Sequence, residues 1–256
     1  MPVSAKRHVV IHPDLPATAA AVAARLVTAI LDAQAARGEA SIVLTGGTLG
    51  IASLQAVADS PALGAVDWSR VNFYWGDERF VEAGSPDRNA VQAEVLLGVL
   101  DAHGLDRGRV HAMGAADEFE TPEEAAAAYA HLLEREASDE GTAGSLPVFD
   151  VLMLGMGPDS HVASLFPDHA GAAATGANVI GVRDSPKPPP LRVSLTFQAI
   201  NTARAVWLVV AGADKAPAAG VALGQEPVAR ERVPASGVSG TQGTWWLMDA
   251  AAAALV

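Results

Sequence analysis

Apolar residues along this chain fall into two alternating patterns. Short unbroken apolar runs are separated by longer stretches in which apolar positions recur every three to four residues. The unbroken runs at residues 8–11, 41–45, 71–75, 148–154, 205–211 and 244–248 read as strands, and residues 178–182 and 191–195 add two more. A continuous apolar run, without a polar face, is the mark of a strand covered on both sides. Between the runs, Pro16 opens a helical stretch whose Ala23, Leu26, Val27, Ile30 and Leu31 share one face, and Gly38 stands where a helix C-cap is expected. Helical spacing resumes from Leu49 through Leu54 to Val57, and again after Asp87 at Val91, Val95, Leu96 and Val99. Thr121-Pro122-Glu123-Glu124 is a helix start, with Thr as N-cap, Pro at the first helical position and Glu124 placed for a capping box. That helix is expected to reach about Glu136, with a Gly- and Ser-containing loop at 138–147.

Strands that alternate with helices predict a mostly parallel sheet with helices on both faces. No repeat or linker interrupts the pattern, so residues 1–256 are expected to form one α/β domain. In such sheets ligands bind beyond the carboxyl ends of the strands. Reactive residues are therefore expected immediately after each apolar run.

Composition narrows the partners. The 256 residues carry a formal net charge of −12, which disfavours nucleic acid and anionic membrane surfaces. With no cysteine, disulfide and thiolate chemistry are excluded, and a cytoplasmic setting is expected. Neither a secretory pattern near the start nor an apolar stretch of the ~20 residues needed to cross a bilayer is apparent. An anionic substrate would need a few cations converging locally against the global field.

Four segments could supply them. Thr45-Gly46-Gly47-Thr48 joins a strand to a helix, where free N–H groups and hydroxyls suit a phosphate. An ordinary tight turn would look the same. Trp75-Gly76-Asp77-Glu78-Arg79-Phe80-Val81 places two acids and a guanidinium at a strand end, where Arg79 could clamp an anion or simply pair on the surface. In Gly155-Met156-Gly157-Pro158-Asp159-Ser160-His161 a glycine turn presents a histidine suited to proton transfer near neutral pH, and Asp159 could orient its ring. Ser185-Pro186-Lys187-Pro188-Pro189-Pro190-Leu191-Arg192 is a stiff loop able to fix Lys187 and Arg192. The histidines are scattered with no zinc motif, no G-x-S-x-G elbow occurs, and neither a dinucleotide fingerprint nor a P-loop is present. No metal or cofactor is therefore expected.

Taken in order, these four segments, with Val162-Ala163-Ser164-Leu165-Phe166-Pro167 completing the third, resemble the glucosamine-6-phosphate isomerase/6-phosphogluconolactonase family, and its lactonase branch in particular. The resemblance implies a Rossmann-like fold related to the sugar-phosphate isomerases and hydrolysis of a phosphorylated sugar lactone in the oxidative pentose phosphate pathway, without a cofactor. It implies that His161 is the catalytic histidine, that Arg79 and Lys187 anchor the substrate phosphate, and that Asp77 and the Gly46-Gly47 turn line the pocket. The small-molecule lactone is the expected partner, for a monomer or small homo-oligomer. Three positions depart from the family pattern. Thr48-Leu49-Gly50 lacks a usual proline, which should loosen the turn; Ser160 replaces a glycine; and Arg88 replaces a small polar residue. Two rivals remain: a glucosamine-6-phosphate deaminase-type enzyme, whose histidine usually precedes an Asn-Glu-Pro segment, and a non-catalytic sugar-phosphate binder, which would carry a DNA-binding module.

Overall fold

The computed structural model describes residues 6–139 and 144–256. Part of the N-terminal stretch and residues 140–143 of the loop expected at 138–147 lie outside the described residues.

The chain runs β1 (Arg7–His12), α1 (Leu15–Arg37), β2 (Ala40–Leu44), α2 (Thr48–Ala58), β3 (Val71–Trp75), β4 (Asp77–Arg79), α3 (Asn89–Gln92), α4 (Glu94–Leu100), α5 (Pro122–Asp139), β5 (Val151–Gly155), β6 (Val179–Val182), β7 (Arg192–Leu195), α6 (Phe197–Ile200), β8 (Ala205–Val210), α7 (Ala216–Leu223) and β9 (Gly243–Asp249). Six strands form one sheet in the order β1-β9-β8-β5-β2-β3, and every pairing in it is parallel. The unbroken apolar runs of the inner strands have the cause expected of them, but the run at 8–11 does not: β1 lies at the sheet edge, with Val9 and Ile11 exposed. Ile42 and Leu44 enter the layer formed with α1, α2 and α4, while Val43 enters the opposite layer beneath α5 and α7.

Helix ends obey the chemistry read from the sequence. Gly38 closes α1 at φ 85°, donating its N–H to the Gln34 carbonyl. Thr121 Oγ1 accepts from the Glu124 N–H at 3.2 Å at the start of α5. That helix runs three residues beyond the expected Glu136. The face of α4 is rotated from expectation: Leu96, Leu97 and Leu100 are buried and Val99 is exposed. Helix α1 has the length and apolar composition of a bilayer span, contrary to the sequence reading. Its Val22, Leu26, Val27 and Ile30 are buried in the protein core.

The strands at 178–182 and 191–195 do not join the parallel sheet. With β4 they form a three-stranded antiparallel sheet in the order β4-β7-β6. Gly76 is the pivot. Its N–H donates to Leu44 of the large sheet at 3.2 Å, and its carbonyl accepts from Leu195 of the small one at 2.8 Å. Asp77, Glu78 and Arg79, expected as a strand-end turn, are thereby a strand of their own, and Asp77 and Arg79 line a cavity at the carboxyl ends of the large sheet.

Candidate active site

That cavity encloses about 600 Å³. Its lining includes Thr45, Gly46, Gly47, Thr48, Asp77, Arg79, His161, Lys187 and Arg192. Segments 147 residues apart in the chain thus share one space, since Thr45 and Arg192 both face it. Asp159 stands behind this lining and reaches the site through its neighbours.

The turn after β5 presents the histidine. Gly157 N–H donates to the His161 carbonyl and Ser160 N–H to the Gly157 carbonyl, each at 2.9 Å, which closes a tight loop. Ser160 lies in the left-handed region at φ 70°, as do Ala163 at 49° and Asp168 at 54°. A non-glycine residue there stores roughly 1 kcal/mol or more, so the departure from glycine at 160 is strained. His161 Nδ1 lies 2.6 Å from Asp159 Oδ1, and the two side chains form a dyad. Burial raises the pKa of Asp159, but the hydrogen bond and charge of His161, with the charge of Lys187, outweigh it and hold the carboxyl well below the usual carboxylate range. An ionised carboxylate only accepts, so in the neutral form of the imidazole the proton sits on Nδ1 and the lone pair on Nε2. Lys187 completes the group, with Nζ 3.2 Å from the same Asp159 oxygen and 3.4 Å from His161 Nδ1.

Two guanidiniums form a second group. Arg79 on β4 and Arg192 on β7 are directly paired across the antiparallel strands. Like charges so placed repel unless an anion comes between them. Arg79 Nη1 donates to the Asp87 carbonyl, while its buried Nε finds no hydrogen-bond partner among the described residues. Arg192 is 5% exposed; its Nε donates to Pro189 O at 3.2 Å and its Nη2 to Lys187 O and Pro188 O at 3.1 Å. Burial, more than the neighbouring Arg79, pulls its pKa below the ordinary guanidinium value, with Asp77 opposing. Arg192 therefore holds the Pro-rich loop as well as facing the cavity.

The Gly46-Gly47 turn supplies backbone donors. Gly47 is the N-cap of α2 at φ 83° and offers no side-chain cap, so the first N–H groups of the helix are left for a ligand. Thr45 Oγ1 accepts from the Gly155 N–H at 3.2 Å, tying the ends of β2 and β5 together. A Cβ at Gly50 would stand 2.9 Å from the Thr45 carbonyl, so the helix leans closely on the turn. Asp77 Oδ2 accepts from Ser164 Oγ at 2.7 Å, which fixes the carboxylate toward the cavity wall.

Glu78 has a different fate from its neighbour. It is fully buried and accepts from the N–H groups of Arg79, Asn89 and Ala90 at 2.7–2.9 Å, with Arg88 Nε 3.8 Å away. Burial raises its pKa, and the Arg88 charge and these N–H groups oppose the rise. Glu78 thus caps α3. The unusual Arg88 is its counter-charge, and also donates to the Met113 carbonyl.

Lys215, Asp214 and Asn89 also line the cavity, and the sequence reading missed them. Lys215 and Asp214 had a signal, since they come after the apolar run at 205–211 just as the other site residues come after theirs. Asn89 had none; its amide reaches the Asp77 carbonyl at 2.8 Å through cross-segment packing.

Fold and site together have the make-up of an α/β enzyme, with an acid–base dyad and a pair of cations gathered in one cavity at the strand ends. Residues 13–246 match the family of glucosamine-6-phosphate isomerases/6-phosphogluconolactonase, and the chain belongs to that family. It is 53% identical over 246 residues to a 6-phosphogluconolactonase of Streptomyces coelicolor, covering 95% of this chain and 92% of that one. A 6-phosphogluconolactonase of Mycobacterium tuberculosis is 44% identical over 247 residues, covering 95% and 96%. Among solved structures, a 6-phosphogluconolactonase from Trypanosoma brucei superposes with a TM-score of 0.81 at 25% identity, covering 98% of this chain and 99% of that one.

Proposed function

We propose that this chain hydrolyses 6-phospho-D-glucono-1,5-lactone to 6-phosphogluconate, with His161 as general base and then general acid. The observation that carries the mechanism is the imidazole held at Nδ1 by an ionised carboxylate, in a cavity shared with two paired arginines. Family membership and the names of the relatives support the substrate.

On this reading each group has a step. His161 Nε2 takes a proton from water as its oxygen attacks the lactone carbonyl carbon. The resulting tetrahedral oxyanion collapses, the bond from carbonyl carbon to ring oxygen breaks, and the imidazolium returns the proton to that ring oxygen. General acid–base help of this kind contributes about 10²–10⁴-fold. Asp159 stabilises the imidazolium, and the Lys187 ammonium adds positive charge at the reacting end. The phosphate falls to Arg79 and Arg192, with the free N–H groups at the start of α2 and the hydroxyls of Thr45 and Thr48. Lys187, which the family resemblance assigns to the phosphate, is grouped instead with the dyad because its Nζ sits on Asp159.

The direct test is hydrolysis of freshly prepared lactone, corrected for the spontaneous reaction. Ammonia release from glucosamine 6-phosphate in place of lactone turnover would favour the deaminase instead. Two variants separate the ends of the site. Arg79→Ala is expected to raise KM for the phosphorylated lactone by about 10–100-fold, the value of a lost charge-assisted hydrogen bond, and to leave the unphosphorylated lactone nearly unaffected. Lys187→Ala is expected to lower kcat on both lactones by a similar factor, about tenfold or more. A loss confined to the phosphorylated substrate would return Lys187 to the phosphate.

A further inference from the structure

We propose that Phe166 is a positioning residue whose single ring sets both the aim of His161 and the seating of the lysine-bearing loop. The kinetic part of this inference rests on the lactonase reading. Its spectroscopic part does not.

Phe166 is 0% exposed, and its surroundings are unusual for a core phenylalanine. Its ring centroid lies 4.6 Å from that of His161, with the planes tilted by 36°. The Arg192 guanidinium carbon is 5.7 Å from the same centroid, and the His169 ring meets it edge-on at 6.3 Å. Three polar side chains thus converge on one aromatic ring.

The Asp159 hydrogen bond fixes one corner of the imidazole and Gly157 packs against its Nδ1–Cε1 side, but neither holds the opposite edge, so the bond at Nδ1 is a pivot. The ring can still swing about it and carry Nε2 away from a bound lactone. An aromatic surface against the imidazole removes that freedom, and its negative face also favours the imidazolium that forms during proton transfer. On its other contact the same ring backs Arg192, whose Nε and Nη2 hold the carbonyls of Lys187, Pro188 and Pro189. Lys187 then returns to Asp159 through Nζ. The contacts close a circuit: His161, Phe166, Arg192, the Pro-rich loop, Lys187, Asp159 and back to His161. Removing the ring opens the circuit at the point where the base and the loop meet.

Phe166→Leu and Phe166→Met keep the site apolar and delete the ring. Both are expected to lower kcat by about ten- to hundredfold, the effect of sub-ångström to ångström misplacement of a reacting group, and to do so equally on phosphorylated and unphosphorylated lactone. In histidine-labelled protein the ring-current displacement of the His161 Cε1–H resonance should vanish in both variants. The wild-type protein should show a nuclear Overhauser contact between that proton, or the Cδ2 proton, and the Phe166 ring. A lower melting temperature with kcat within twofold of wild type and an unmoved His161 resonance would make Phe166 a packing residue and overturn the proposal. If neither variant folds, absence of the wild-type contact overturns it and its presence upholds it. Wild-type protein inactive on the lactone would count against the lactonase reading, and the resonance measurements would still decide the positioning.

Discussion

His161→Ala is expected to lower kcat by about 10²–10⁴-fold, the contribution of a positioned acid–base group, while KM for the phosphorylated lactone changes little. The asymmetry comes from the division of the cavity. The imidazole acts on the reacting carbonyl, whereas the phosphate is held by Arg79, Arg192 and the start of α2, none of which uses His161 as a hydrogen-bond partner among the described residues. Steady-state kinetics on fresh substrate measure both constants. Near-normal kcat would remove His161 from the mechanism. A large rise in KM with kcat intact would make it a binding group instead. His161→Gln, which can hydrogen-bond but cannot shuttle a proton, should be nearly as slow as the alanine variant.

Gly157→Ala is expected to come close to that loss, although it alters no group that does chemistry. A Cβ at this position would overlap His161 at Nδ1 and Cε1 and also Asp159 Oδ1. The backbone itself would accept alanine, since Gly157 is not among the residues with positive φ. The added methyl must therefore push the dyad aside, and displacement of a reacting group by about 1 Å costs on the order of 10²-fold. The measurement is kcat together with thermal unfolding. A melting temperature near wild type with kcat reduced by that order is the expected pair. Unchanged kcat would mean that the dyad can relax around a methyl, and the tight packing over Gly157 would lose its significance. The converse holds at position 160. Ser160 already occupies the left-handed region at φ 70°, so Ser160→Gly relieves strain there and should leave kcat near wild type. The resemblance to the family drew attention to the serine, but the strict requirement for glycine falls three residues earlier.

Much of the site was legible because strand-end segments carry their chemistry in contiguous residues. Asp159 and His161 are two positions apart in one glycine turn, and their hydrogen bond is decided locally. Thr45 to Thr48 run from the end of β2 into the start of one helix. Glu78 was not separable from Asp77 by sequence. Both come after β3, but Asp77 faces the cavity whereas Glu78 turns inward to cap α3, whose first residue lies eleven positions on. Arg88, anomalous in the family pattern, makes sense only beside that buried carboxylate.

By itself the sequence determined the alternating strands and helices, their parallel arrangement and the strand ends at which reactive residues gather, because periodicity and turn chemistry act over a few neighbouring residues. Only the tertiary structure decided that β4, β6 and β7 form a separate antiparallel sheet, that Arg79 and Arg192 stand opposite each other on it, and that Lys187 joins the dyad rather than standing apart. Those relations depend on the pairing register of β4 with β7, more than a hundred residues apart, and on the direction each side chain takes once packed. Neither is written in the spacing of residues along a single segment.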